Sequence, residues 1–145
     1  WNFMIQYGNL NRMLPVLENL LANTNGHKTK SKMPRHGIEL LKKLRTIGTK
    51  SALITSISID GQSSVIGYSN SSGDYFCLPY NEIPIHFPGT GDIFSAILIG
   101  HLLDNESLTN STQKAIDGVY RLIDLNKENE DKNRGIPLEQ YLDIL

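Results

Sequence analysis

The sequence predicts a three-layer α/β domain with a mostly parallel sheet, and three features of its 145 residues carry that expectation. Helical apolar spacing alternates with strand-like runs in the first half, which calls for helical crossovers and so for parallel strands. From Ser51 to Pro79, three β-rich runs are joined by the turn signals Asp60-Gly61 and Asn70 to Asp74, the pattern of an antiparallel hairpin at one sheet edge. Gly89-Thr90-Gly91-Asp92 then leads into Ile93 to Leu103, which is apolar on more than one face and reads as a helix surrounded by protein.

In chain order, Phe3 to Tyr7 is a short apolar run stopped by Gly8-Asn9, a buried strand. Leu10 to Ala22 places Leu10, Met13, Leu14, Leu17, Leu20 and Leu21 three and four apart, so a helix is expected, with Pro15 tolerable only in a first turn. Asn23 to Arg35 is polar and basic and reads as a solvated loop, including the lysine-rich stretch Lys28 to Lys32. Pro34 opens a second helix carrying Ile38, Leu41 and Leu44, closed by Gly48. Ser51 to Ile59 begins as a continuous apolar strand and passes into alternation; Ser64 to Tyr68 and Tyr75 to Pro79 are its hairpin partners. Beyond the apolar helix, Leu108 to about Leu125 has Ala115, Ile116, Val119, Leu122 and Ile123 at helical spacing. Asn126 to Arg134 is a charged, solvated connector, and Leu138 to Leu145 a short terminal helix after Pro137.

This length suits one domain with a sizeable core. Fourteen Lys+Arg against fifteen Asp+Glu give a net charge of −1, hence no electrostatic footprint for nucleic acid or an anionic membrane. The lone Cys77 excludes an internal disulfide and any multi-cysteine metal site, and with no secretory leader the expectation is cytoplasmic. Ile93 to Leu103, broken by Ser95, Gly100 and His101, falls short of the roughly 20 residues that span a bilayer. Trp1 rather than Met opens the chain, so it reads as a piece of something longer.

The tetrapeptide Gly89-Thr90-Gly91-Asp92 carries the chemistry. Two glycines at a helix start let backbone N–H groups meet an anion without side chains in the way, and the helix dipole adds partial positive charge. Asp92 in the first turn offers a proton acceptor beside that cradle, the equipment of phosphoryl transfer to a hydroxyl. A glycine-rich turn with Asp as an ordinary helix-start residue accounts for the same spacing.

Pro88-Gly89-Thr90-Gly91-Asp92-Ile93-Phe94-Ser95-Ala96-Ile97-Leu98-Ile99-Gly100 resembles the signature of the ribokinase-like superfamily, in the form found in pyridoxal/pyridoxamine kinases. The resemblance runs from about Ile38 to the C-terminus, more weakly at the start, and implies the C-terminal half of a three-layer ribokinase-like fold. It makes residues 1–145 the nucleotide-binding and catalytic-base part of a kinase domain, with the acceptor pocket outside the chain. It implies ATP-dependent phosphorylation of the 5′-hydroxymethyl group of a B6 vitamer, with Mg²⁺, and a homodimer in the full-length form. Gly89, Thr90 and Gly91 become the anion hole and Asp92 the general base; Thr55 and Ser56 match a strand end whose hydroxyls meet the ATP phosphates. Ile83 and Phe87, with Ile85 between them, lie where the family has its adenine-side wall, though they could equally be core. Aligning Phe3 to Tyr7 with the strand before the family's Asn-x-x-Glu element puts Asn9 on its Asn and Arg12 on its Glu, with Glu18 nearby. That reversal of charge would repel Mg²⁺, and leaves the metal ligands unassigned.

No Gly-x-x-x-x-Gly-Lys-Ser/Thr segment occurs, and the third glycine of a dinucleotide fingerprint is replaced by Phe94. His27, His36, His86 and His101 share no metal-like spacing; Cys77 reads as a small core residue. Asn70-Ser71-Ser72, Asn105-Glu106-Ser107 and Asn110-Ser111-Thr112 match the glycosylation pattern without a signal peptide to support it. Two other readings of the tetrapeptide stay open: a kinase for another small alcohol, such as a hydroxymethylpyrimidine, and a truncated, non-catalytic kinase-like domain.

Overall fold

The structure, a computed structural model, describes residues 3–6, 35–46 and 48–144. They fall into two compact units, Trp1–Tyr80 and Asn81–Leu145.

Among the described residues the first unit is a four-stranded sheet with one helix on it. Strands β1 (Phe3–Gln6), β2 (Ser51–Ile59), β3 (Gln62–Ser69) and β4 (Asp74–Pro79) lie in that order, and helix α1 (Arg35–Thr46) precedes β2. β1 runs parallel to β2, with Phe3 opposite Ser51 and Gln6 opposite Ile54. β2/β3 and β3/β4 are antiparallel. The described residues thus supply the expected hairpin edge and one parallel pair, whose ends are joined through a crossover containing α1, as parallel strands require. The expected helix Leu10 to Ala22, the loop as far as Pro34, and Asn9, Arg12, Glu18 and His27 lie outside the described residues.

In β2, Ala52, Leu53 and Ile54 are all buried where β1 and β3 flank them, and burial alternates from Thr55 onward, the change of pattern expected from the sequence. Asp60 (φ 51°) and Gly61 (φ 80°) both take the left-handed conformation between the paired Ile59 and Gln62, so the turn follows the twist of its strands. On one face Ala52, Ile54, Ile66 and Tyr68 pack with Leu40 and Leu41 of α1, while Ile38, Leu44 and Cys77 pad the rim. Arg45, in the last turn of α1, lies over the Tyr68 ring at 3.7 Å and donates to the Tyr75 hydroxyl at 3.4 Å. A guanidinium placed over an aromatic face also complements the negative end of the helix. Gly48 (φ 102°) then turns the chain, its N–H bonded to Arg45 O at 3.1 Å.

The second unit holds α2 (Thr90–Leu103), α3 (Leu108–Asn126) and three short 3₁₀ turns, Lys132–Arg134, Leu138–Gln140 and Leu142–Ile144. Asn105 (φ 62°) ends α2: its N–H reaches Leu102 O at 3.1 Å and that of Glu106 reaches His101 O at 3.1 Å. That double bond pattern satisfies the carbonyls left over at a helix end. Ser107 caps α3, its hydroxyl accepting from Asn110 N–H at 3.2 Å.

Three expectations are corrected here. α2 is not surrounded: Ile93, Phe94, Ile97, Leu98 and Leu102 are buried, but Ala96, Ile99 (42% exposed), Gly100 and Leu103 (64% exposed) form an open stripe. Apolar composition around a helix permits burial on every side, yet neighbouring elements decide which sides are covered. The terminal helix is replaced by two 3₁₀ turns, since a segment this short cannot repay helix nucleation. Asn126, expected in a solvated connector, is fully buried: it donates to Leu122 O at 2.9 Å and accepts from Asn129 Nδ2 at 2.8 Å and the Tyr141 hydroxyl at 3.3 Å. No helix among the described residues is long and apolar enough to cross a membrane.

Candidate functional site

The tetrapeptide begins α2 earlier than its apolar run suggests. Gly89 is the N-cap (φ 84°, ψ 0°), Thr90 and Gly91 are the first two helical residues, and Asp92 is the third. Ile93 N–H closes the first helical bond on Gly89 O at 3.0 Å. Gly89 is left-handed, a conformation that penalises any Cβ, so glycine is needed there for the turn itself. The cap position belongs to Gly89, and Asp92 in the first turn is also where an ordinary helix-start carboxylate stands, so the geometry agrees with the plain helix-start reading as well. Its side chain is exposed at the positive end of the helix, where a carboxylate is favoured electrostatically.

Asp92 lines a cleft of about 360 Å³ with Pro88, Gly89, Ile93 and Ala96 on one side and Arg134, Gly135, Ile136 and Leu138 on the other. The C-terminal wall is held by its own geometry. Gly135 takes φ 76° and ψ −165°, a region almost closed to other residues, and a Cβ there would stand 3.2 Å from Pro88 O. Ile136 beside it is buried. The walls are apolar apart from one carboxylate, Asp92, and one guanidinium, Arg134, whose Nε lies 3.2 Å from Asp131 Oδ2.

Sequence reasoning found Gly89, Thr90, Gly91 and Asp92, which the structure gathers on one helical turn. It missed the residues from Arg134 to Leu138, for which only the glycine before a buried isoleucine was a local sign. Thr55 and Ser56 belong to the other compact unit. They lie at a bulge in β2, where the register shifts between Ile54 and Ile57, and Ser56 is left-handed (φ 57°) and exposed. Bulges of this kind re-aim side chains away from the ladder. Ile83 is half-buried, whereas Phe87 is fully buried. The burial of Phe87 agrees with the core role that the sequence left open beside an adenine-side wall. Of the histidines, His36 and His86 are exposed and His101 pairs with Glu106 at 3.2 Å. Among the described residues no group of three His, Cys, Asp or Glu is placed to hold a metal ion.

No family model and no curated protein matches the sequence. Solved structures do. A Bacteroides thetaiotaomicron protein described as a phosphomethylpyrimidine kinase, in a crystal form with pyridoxal, is 26% identical with a TM-score of 0.72, over 96% of this chain and 47% of its own. Pyridoxal kinase from Lactobacillus plantarum is 17% identical with a TM-score of 0.68, over 98% of this chain and 48% of its own. An ADP complex of Bacillus subtilis pyridoxal kinase is 18% identical with a TM-score of 0.51, over 85% and 41%. The chain spans about half the length of the structures it matches. The fold of this chain is, in part, the ribokinase-like α/β fold of these kinases.

Proposed function

We propose that these residues form the nucleotide and base side of a small-molecule kinase that transfers the γ-phosphoryl group of ATP to the 5′-hydroxymethyl group of a B6 vitamer. The observation that carries the proposal is the left-handed Gly89 cap, which puts an exposed carboxylate, Asp92, at the positive end of α2 beside an open cleft. In the proposed step Asp92 takes the hydroxyl proton and the oxygen forms a bond to the γ-phosphorus. The bond from that phosphorus to the bridging oxygen breaks, and ADP leaves with the electron pair. The backbone N–H groups and dipole at the start of α2 take up charge on the phosphoryl oxygens. Thr55 and Ser56 would meet the ATP phosphates and Ile83 the adenine side. Mg²⁺ would come with the nucleotide, held by its phosphates and one or two carboxylates, and its protein ligands stay unassigned.

Asp92→Asn in the complete protein, with its acceptor pocket, tests the proposal. Turnover should fall by a factor of about 10² to 10⁴ while ATP affinity stays within two-fold, because the carboxylate acts on the acceptor's proton. Unchanged turnover rejects Asp92 as the base. A hydroxymethylpyrimidine is the second acceptor to consider, since the Bacteroides neighbour carries a phosphomethylpyrimidine kinase description. Competition between pyridoxal and a hydroxymethylpyrimidine for one phosphate donor decides between the two.

A further inference from the structure

We infer that Arg134 is a second anion-binding group of this site, contacting the phosphate oxygens of a bound nucleotide from the wall formed by the C-terminal turn. The inference rests on the kinase reading above and adds a residue to it.

The first argument is placement. Arg134 and Asp92 are the two charged side chains lining the cleft, and the remaining lining is apolar or glycine. A nucleotide phosphate brought to the start of α2 meets a helix dipole equivalent to about half a positive charge, with the Asp92 carboxylate next to it. The net charge of the whole chain is −1, so no broad positive field makes up the difference. A guanidinium in the same cleft supplies it, in a planar fork that matches phosphate.

The second argument is that the backbone is fixed and the head is not. Gly135 closes against Pro88 O in a conformation reserved for glycine, and Ile136 is buried beside it. Asp131 caps the 3₁₀ turn by accepting Asn133 N–H at 3.2 Å. The Arg134 side chain itself is 88% exposed, and its partner Asp131 is 57% exposed. An ion pair that open holds its arginine weakly, so a phosphate of higher charge can draw the guanidinium into the cleft without breaking anything structural.

Calorimetric titration of ADP and of adenosine into the protein and its variants tests this. Arg134→Ala should weaken ADP at least ten-fold and leave adenosine unchanged, and Arg134→Lys should recover part of the loss. The salt dependence of ADP binding should become shallower in Arg134→Ala, and its melting temperature should match the wild type. An ADP affinity within two-fold of wild type in Arg134→Ala overturns the inference, as does an equal loss for adenosine, which would mark Arg134 as a structural partner of Asp131 only. Phosphate transfer by the wild type is read separately. A complete protein, with its acceptor pocket, that binds ADP through Arg134 yet phosphorylates neither acceptor removes the kinase reading while the phosphate contact stands. One that binds neither ADP nor adenosine removes both.

Discussion

Gly67 and Phe76 face each other across β3 and β4 with no room for a side chain at position 67. A Cβ there would run into the Phe76 ring and stand 2.6 Å from Leu53 Cδ2. The ring covers the bare glycine backbone, an arrangement that lets a large aromatic pack flat on a sheet. Gly67→Ala should therefore destabilise the protein by about 1–3 kcal/mol in chemical denaturation, the usual cost of overpacking. In the Phe76→Ala background the same change should cost less, since the two residues share one space. A Gly67→Ala protein as stable as wild type would show that the ring does not lie there.

Gly89 is constrained by its backbone alone. No atom lies within 4 Å of a Cβ built at this position, so its φ of 84° is the whole constraint. Gly89→Ala should cost about 1–2 kcal/mol of stability, the strain of a left-handed residue with a Cβ. Gly89→Asn should cost less, because Asn tolerates that region. Equal stability for all three proteins in denaturant melts would exclude a left-handed cap.

Glu106 joins the end of α2 to the start of α3, accepting from Lys114, from Asn110 Nδ2 and from His101. The hydrogen bond from Lys114 is the main cause of a carboxyl pKa below the ordinary 4.5; desolvation opposes it, and the charges of Lys114 and His101 add to the lowering. A carboxyl depressed in the folded state stabilises the fold above its unfolded pKa, and that contribution is lost as pH falls through the folded value. Lys114→Met should consequently be less stable than wild type at neutral pH, with the gap closing in acid. NMR titration of Glu106 should show its pKa moving back up in the variant. A stability gap equal at pH 7 and at pH 3 would contradict the pairing.

Tyr141 holds the C-terminal turns through the buried Asn126. Tyr141→Phe should cost about 0.5–1.5 kcal/mol, the net worth of one hydrogen bond. Asn126→Ala should cost more, because it also removes the partner of Asn129 and opens a cavity at the end of α3. Denaturant melts of the two single variants and the double variant measure the coupling. Additive losses would mean that the hydroxyl and the amide do not interact.

Much of the architecture could be read from local pattern. Asp60-Gly61 announced a hairpin because a tight turn needs two left-handed residues, and the shift from continuous to alternating burial along β2 was written in the order of its apolar side chains. The apolar spacing of α1 and α3 located both helices, since a helix repeats its face every three to four residues whatever it packs against. The candidate site was half legible in the same way: two glycines before an Asp and an apolar run describe a helix start.

By itself, then, the sequence determined the elements, their turns and the Gly89 to Asp92 motif, because propensity, periodicity and turn chemistry act over a few residues. Tertiary structure alone decided that Ile99 and Leu103 stay open, that Phe87 and Asn126 go inside, and that the turn around Arg134 and Gly135 lines the same cleft as Asp92. Those outcomes depend on which distant segments meet. The approach of Gly135 to Pro88, close enough that a Cβ on the glycine would stand 3.2 Å from Pro88 O, joins residues far apart in the chain, and no local period encodes such a meeting.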